Sequence, residues 1–257
     1  MGGAPTRRRG RSRYPTRSRN AGAPGAAPAT FDPLVDVTWH SAFFAQDPDW
    51  TPPADGGAVS QWDDGSGNGR HATQGTGGAQ PTYRAAYANL NGLPAVEFDG
   101  SADFLATSVF TASAQPAQPW SVVVVYYQAS ITPRSWMAIT PSSSSYFGTL
   151  MPGTDWMANG GGGALTGPGA TAGKHLYVAV GNGASSKIEV DGTSVATGTI
   201  ADVSASRIYL GTYGGSGGAY LNGAIAFAGL YAGDVTGLPA WAALEAGFGT
   251  HYGITIS

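Results

Sequence analysis

The chain contains no cysteine, which excludes disulfide staples and every metal site built on thiolates. A chain of 257 residues can bury enough surface to stand without cross-links, so this absence does not decide the compartment. Charge is also scarce, at 11% of residues. No apolar run approaches the roughly 18 residues of a membrane-spanning helix. The first thirty residues hold no acid and no periodic apolar positions, so they cannot bury enough surface to fold alone.

What is present favours strands. Forty glycines and 17 prolines suit many short strands joined by turns rather than a helical protein. Seven Trp, 12 Tyr and 9 Phe can fill a sizeable core. The net charge of −3 conceals a split. Residues 1–30 carry Arg7, Arg8, Arg9, Arg11, Arg13, Arg17 and Arg19, while residues 31–257 carry the other six basic residues and all 16 acids, so the arm is +7 and the body −10. The expected organisation is an Arg-rich arm with a Gly/Pro/Ala linker over 1–30 and one folded domain over 31–257. Such asymmetry suggests an arm with its own partner.

No apolar h-region follows Arg19, so the arm is not expected to be a secretion signal. Three readings of it stay open: a solvated tail, a segment docking onto an acidic protein surface, and a contact with nucleic acid phosphates. The last has the least support, because Tyr14 is the arm's one aromatic and base stacking needs more.

Along the body, Phe31–Phe44 reads as an ordered or strand-like lead-in. Thr82–Tyr87 reads as a short strand, and Pro94–Phe98 with Phe104–Ala106 as a hairpin turning at Asp99-Gly100, since Asp-Gly between alternating runs is a strong turn signal. Trp120–Tyr127 is an unbroken β-branched and aromatic run, expected as a central strand covered on both faces. Trp136–Thr140 and Tyr146–Leu150 follow as strands, then a flexible Gly160–Gly163 loop. His175–Val180, Lys187–Val190 and Thr193–Thr197 follow, the last two joined at Asp191-Gly192, and Arg207–Gly211 and Gly223–Tyr231 complete the set. Pro239–Gly247 is the persuasive helix, with Pro in its first turn and Gly at its end. About a dozen short strands at regular spacing predict a sandwich or jelly roll.

The densest motif is Gln61-Trp62-Asp63-Asp64-Gly65-Ser66-Gly67-Asn68-Gly69-Arg70-His71, whose small and polar residues demand a tight irregular loop. With Asn91-Gly-Leu-Pro-Ala-Val-Glu-Phe-Asp-Gly100, Lys187-Ile-Glu-Val-Asp-Gly192, Ile208-Tyr-Leu-Gly211 and Leu221-Asn-Gly-Ala-Ile225, it resembles the laminin G-like, concanavalin A-like lectin jelly-roll family, including its phage virion and bacterial surface members. The resemblance covers about residues 31–257. It implies an all-β jelly-roll sandwich with one short C-terminal helix, beside the extended basic arm. Ala226 and Ala228 depart from it, standing where many members carry acidic or bulky residues.

Chemistry is mostly excluded. Glycoside hydrolysis needs two carboxylates flanking the bond. Glu189-Val-Asp191 and Glu97-Phe-Asp99 give half of the E-x-D-x-x-E pattern of jelly-roll glucanases, but Ser194 and Ala102 stand at its last position. No Ser-His-Asp constellation can be assembled from the four histidines and the serines, and no enzyme is expected. Asp64-x-Ser66-x-Asn68-Gly69 matches half of an EF-hand loop, but the twelfth position is Gly75. A Ca²⁺ site at Asp63 and Asp64 is one reading of this loop, and an Asx-turn capping backbone amides is the other. For carbohydrate, the candidates are Trp62, Asp64, Asn68, Arg70 and Tyr213, although Trp62 reads better as a core anchor that pins the loop, because large aromatics are mostly buried.

The leading expectation is a phage virion accessory, a capsid decoration or minor tail protein. In it, the arginines of residues 1–30 dock onto other virion proteins and the jelly roll displays a surface for host glycans. The alternative is a bacterial secreted or cell-surface carbohydrate-binding module, extracellular rather than on a virion, and a glycan-cleaving enzyme comes third.

Overall fold

The computed structural model describes residues 31–130, 134–142, 145–151, 155–160, 163–201, 204–212 and 219–257. The arginine arm and Tyr213 lie outside them. In chain order the strands are β1 (Ser41–Phe44), β2 (Gln61–Trp62), β3 (Ala72–Thr73), β4 (Thr82–Tyr87), β5 (Leu93–Asp99), β6 (Leu105–Ala106), β7 (Trp120–Gln128) and β8 (Arg134–Ser142). They continue as β9 (Ser145–Met151), β10 (Asp155–Gly160), β11 (Gly163–Pro168), β12 (Gly173–Gly181), β13 (Ser186–Val190), β14 (Thr193–Gly198), β15 (Ile208–Leu210) and β16 (Asn222–Tyr231), before one helix, α1 (Trp241–Tyr252).

They form two eight-stranded antiparallel sheets. The first runs β14-β13-β12-β7-β16-β5-β4, with β1 also on β16, and the second runs β11-β10-β9-β8-β15-β6-β3-β2. This is the expected all-β jelly-roll sandwich with a short C-terminal helix. Of the nine residues of β7, only Tyr127 is less than buried, as its run of valines and aromatics requires, and its polar Ser121 and Gln128 donate to the carbonyls of Gly233 and Thr171. Trp120, Val122, Val124 and Tyr126 face the core between the sheets. Val123 and Val125 face a second core, where Leu34, Trp39, Phe227, Trp241 and Phe248 of the lead-in segment, β16 and α1 cover the sheet's outer side.

β16 holds the first sheet together. Ala226 is a bulge between two registers on β7. On the opposite edge β5 pairs with Asn222–Ile225 and β1 with Phe227–Leu230, so one long strand carries two short ones end to end. The glycine of the Asn222-Gly223 motif is steric in origin, because a Cβ at Gly223 would run into the Tyr127 carbonyl oxygen. Ala226 and Ala228 are fully buried, one in each core, where an acid would lose its hydration without a partner.

The structure corrects three expectations. The Asp99-Gly100 turn does not close a hairpin: β5 belongs to the first sheet and β6 to the second. The Asp99 carboxylate accepts the backbone N–H groups of Ser101, Ala102 and Asp103, so the turn is a capped crossing between layers. Gly100 has φ +77°, and a Cβ there would lie 2.7 Å from Asn222 Cβ. Of the expected flexible loop, Gly160 and Gly163 are instead strand residues paired with each other, and 161 and 162 lie outside the described residues. The helix neither starts at Pro239 nor stops at Gly247. Gly247 and Gly249 are there for close packing, since Cβ atoms would meet Phe31 and Ile256 at 2.5 Å, and the left-handed cap is Gly253 at φ +64°. By contrast, Asp191 at φ +51° and Gly192 at φ +83° do form the expected hairpin, with Val190 opposite Thr193.

Burial, reinforced by the charge of Asp99, pushes the carboxyl of Asp103 from its ordinary 3.8 up to about 6. A folded pKa above the unfolded value means stability is fully present below the ordinary value and lost as pH rises through about 6. Asp103→Asn keeps an oxygen for the Asp99 N–H that Asp103 now accepts. The variant should therefore match the parent near pH 4 and melt higher than it at pH 7. Parallel melting curves across that range would contradict this.

Candidate functional site

The loop between β2 and β3 is built around Asp64. This residue is 6% exposed, and its Oδ1 accepts the N–H groups of Ala42 and Ser66 at 2.9 and 3.1 Å, while Oδ2 accepts that of Arg70 at 2.9 Å. Gly67 and Gly69 take φ +79° and +70°, which lets the loop double back on so few residues. Ser66, Asn68 and Arg70 then converge on one target. Ser66 Oγ donates to the carbonyl of His40 at 3.3 Å, Asn68 Nδ2 to the carbonyls of Trp39 and His40 at 3.2 and 3.0 Å, and Arg70 Nη1 also to His40.

His40 ties this loop to residues 107–114. Its Nε2 lies 2.7 Å from the Ala114 carbonyl oxygen, and its ring meets Phe110 edge-on at 4.9 Å. Burial holds this imidazole below its ordinary pKa, opposed by the Ala114 carbonyl and assisted by Arg70. The Arg70 guanidinium lies over the Phe110 ring, 5.5 Å from its centroid. Between the two loops opens a cleft of about 420 Å³, lined among others by Gln61, Asn68, Arg70, His71, Val109 and Phe110. Val109, 64% exposed, offers the cleft's apolar surface.

The structure thus separates the candidates. Asn68 and Arg70 line the cleft. Asp64 lies within the loop, its oxygens already occupied by amides. Trp62 is wholly buried, stacked on Trp50 at 5.6 Å and tilted against Phe43 at 5.9 Å, as a core anchor would be. Trp50 and Trp156 are buried too. Tyr213 and the seven arm arginines are outside the described residues. Gln61 and His71 stand in the loop motif without having been singled out for the site, and Val109 and Phe110 carried no sequence signal of their own; pairing of Thr73 with Ala106 brings the two walls together.

The residues present do not fit calcium. That ion takes six to eight oxygens, whereas Asp64 is spent on backbone amides. The Asp63 Oδ1 accepts Gln61 Nε2 at 2.6 Å and lies 3.0 Å from His71 Nδ1. Among the described residues no group of three or more His, Asp or Glu side chains converges on a common point.

The half-matched glucanase acids are tied into the fold. Glu97 pairs with Arg84 at 2.6 Å and Glu189 with Lys187 at 2.8 Å. Asp191 joins a hydroxyl–imidazole–carboxylate line that the sequence did not disclose: Thr171 Oγ1 is 3.1 Å from His175 Nε2, and His175 Nδ1 is 2.7 Å from Asp191 Oδ2. The other oxygen of Asp191 accepts the Leu176 N–H at 2.8 Å, so the line fastens the β13–β14 turn to β12. None of its members lines the cleft.

No family model matches the sequence, and no curated protein matches it. Solved structures do. The binding domain of botulinum neurotoxin serotype D superposes with a TM-score of 0.56 at 11% identity, over 84% of this chain and 53% of that one. A mutant GH54 α-L-arabinofuranosidase soaked with 4-nitrophenyl α-L-arabinofuranoside gives 0.56 at 12%, over 76% and 51%. Trypanosoma rangeli sialidase in complex with 2,3-difluorosialic acid gives 0.52 at 13%, over 82% and 32%. This chain therefore spans a third to a half of each of these proteins, and the likeness is one of fold.

Proposed function

We propose that residues 31–257 are a non-catalytic carbohydrate-binding module that takes its ligand in the cleft between the 63–71 and 107–114 loops. The observation that carries this reading is the composition of that cleft. Gln61, Asn68, Arg70 and His71 supply hydrogen-bonding groups beside the exposed aliphatic surface of Val109, which together match the mixed polar and apolar faces of a sugar ring. The loops are braced from below by Asp64 and His40, so little ordering remains to be done on binding. The arabinofuranosidase and sialidase whose structures share the fold act on glycans by their names, which agrees with this reading. The glucanase-like acids are engaged in turns and strand pairs, which supports a binding rather than a cleaving role.

A glycan array probed with the full-length chain tests this. Val109→Ser, at a residue outside both cores, is expected to weaken binding about fivefold, the equivalent of ~1 kcal/mol of apolar contact, with an unchanged melting temperature. Unaltered affinity would place the ligand elsewhere, and release of reducing sugar from a bound glycan would overturn the non-catalytic assignment.

The +7 arm supports a second reading, in which the module is displayed on a phage particle and residues 1–30 dock onto an acidic capsid or tail protein. Neighbouring genes for capsid, portal or tape-measure proteins would favour it. Neighbouring genes for polysaccharide breakdown would count against it.

A further inference from the structure

We infer that the ligand of this cleft is an anionic glycan whose carboxylate or sulfate group is read by Arg70. The inference rests on the carbohydrate-binding reading above and specifies its substrate class. Arg70 is held in place: one nitrogen donates to the His40 carbonyl and the guanidinium plane lies over Phe110. Its backbone N–H is fixed by Asp64 Oδ2. Yet it has no carboxylate partner among the described residues, whereas Arg84 and Lys187 each have one. Arg207 likewise has no carboxylate partner among the described residues, its Nε donating to the Thr107 carbonyl at 2.6 Å and its guanidinium lying over Tyr209, but it does not line the cleft.

The lining strengthens the case. The body carries 16 acids against six bases, but none of the residues lining the cleft is acidic. Asp63, the acid beside His71, is occupied by Gln61 and His71 and borders a neighbouring hollow with Trp50 and Pro52. A neutral sugar presents hydroxyl donors as well as acceptors, and a site for it gains from carboxylates. This cleft offers donors from Arg70 and His71 without them, the complement of an acceptor-rich anion. A guanidinium fork matches carboxylate or sulfate oxygens in a way an ammonium does not. Fixed in advance by the loop, it binds with little further loss of rotamer freedom.

The test compares full-length parent, Arg70→Gln and Arg70→Lys on matched sets of neutral, uronate- or sialate-bearing, and sulfated oligosaccharides of the same backbone, by array and then calorimetry. Because the arginine arm would itself attract polyanions, each protein is also made with all seven arm arginines replaced by glutamine. Acidic glycans are expected to bind about tenfold or more tightly than their neutral counterparts. Arg70→Gln should bring the ratio of acidic to neutral affinity down to about one, whatever it does to neutral binding itself, and Arg70→Lys should keep part of the preference. The carboxylate and sulfate sets show which anion is preferred. Equal affinity for neutral and acidic glycans would overturn the inference and leave the module reading standing, as would a preference that survives Arg70→Gln or disappears with the arm arginines. Failure to bind any glycan would overturn both.

Discussion

Replacing Asp64 with alanine should cost on the order of 3–5 kcal/mol of stability, although the residue sits in a surface loop. The side chain accepts three backbone N–H groups, and the one from Ala42 is buried in β1. Water cannot readily reach that amide after truncation, so it would carry the full penalty of an unmade buried hydrogen bond. The amides of Ser66 and Arg70 would be hydrated only if the loop opened, which would dismantle the cleft. The melting temperature should fall by about 6–20 °C for a domain of this size. Asp64→Asn should be intermediate, since its oxygen can keep the Ala42 and Ser66 bonds while its NH₂ opposes the Arg70 N–H. A loss below about 1 kcal/mol in Asp64→Ala would mean the loop does not depend on this cap.

Trp62→Ala should be comparably damaging, about 3–5 kcal/mol, because it empties a fully buried volume between Trp50 and Phe43. Trp62→Phe should be much milder. The indole Nε1–H of Trp62 is buried without an acceptor among the described residues, so phenylalanine forfeits no hydrogen bond there and relieves an unpaired donor, leaving only a partial cavity worth ~1–2 kcal/mol. Urea midpoints would separate the two variants. Equal losses would imply that the ring nitrogen has a bound partner. The two predictions bear on one architectural point, that the polar loop and the aromatic core beneath it form one cooperative unit.

The fold was legible where sequence and burial share a period. The run from Trp120 to Tyr127 had to be covered on both faces, and it is. The two Asp-Gly turns mark the limit of such reading. Asp191-Gly192 joins paired strands, while Asp99-Gly100 sends the chain into the other sheet. The difference lies in what each carboxylate reaches: Asp99 caps the three residues that follow it, whereas Asp191 reaches back to Leu176 and His175 on the neighbouring strand. Glycines misled for a related reason. Gly247 looked like a helix terminus, but its missing side chain makes room for Phe31, a contact more than two hundred positions away.

The candidate site was half legible. The loop from Asp63 to His71 announced itself by composition, and Asn68, Gly69, Arg70 and His71 line the cleft. The opposite wall, residues 107–114, carries no motif. Its place follows from a single strand pairing, Thr73 with Ala106, and from the bond of His40 to Ala114, neither of which leaves a local pattern.

The stacked indoles of Trp50 and Trp62, 29° from parallel, also give the molecule an optical property of its own. Transitions on two rings this close couple, and the sign and size of the coupling in near-ultraviolet circular dichroism depend on their mutual angle. Because Trp62 immediately precedes the polar loop and Trp50 Nε1 donates to the Gln61 carbonyl, a ligand that shifts the loop should register in that signal without any added label.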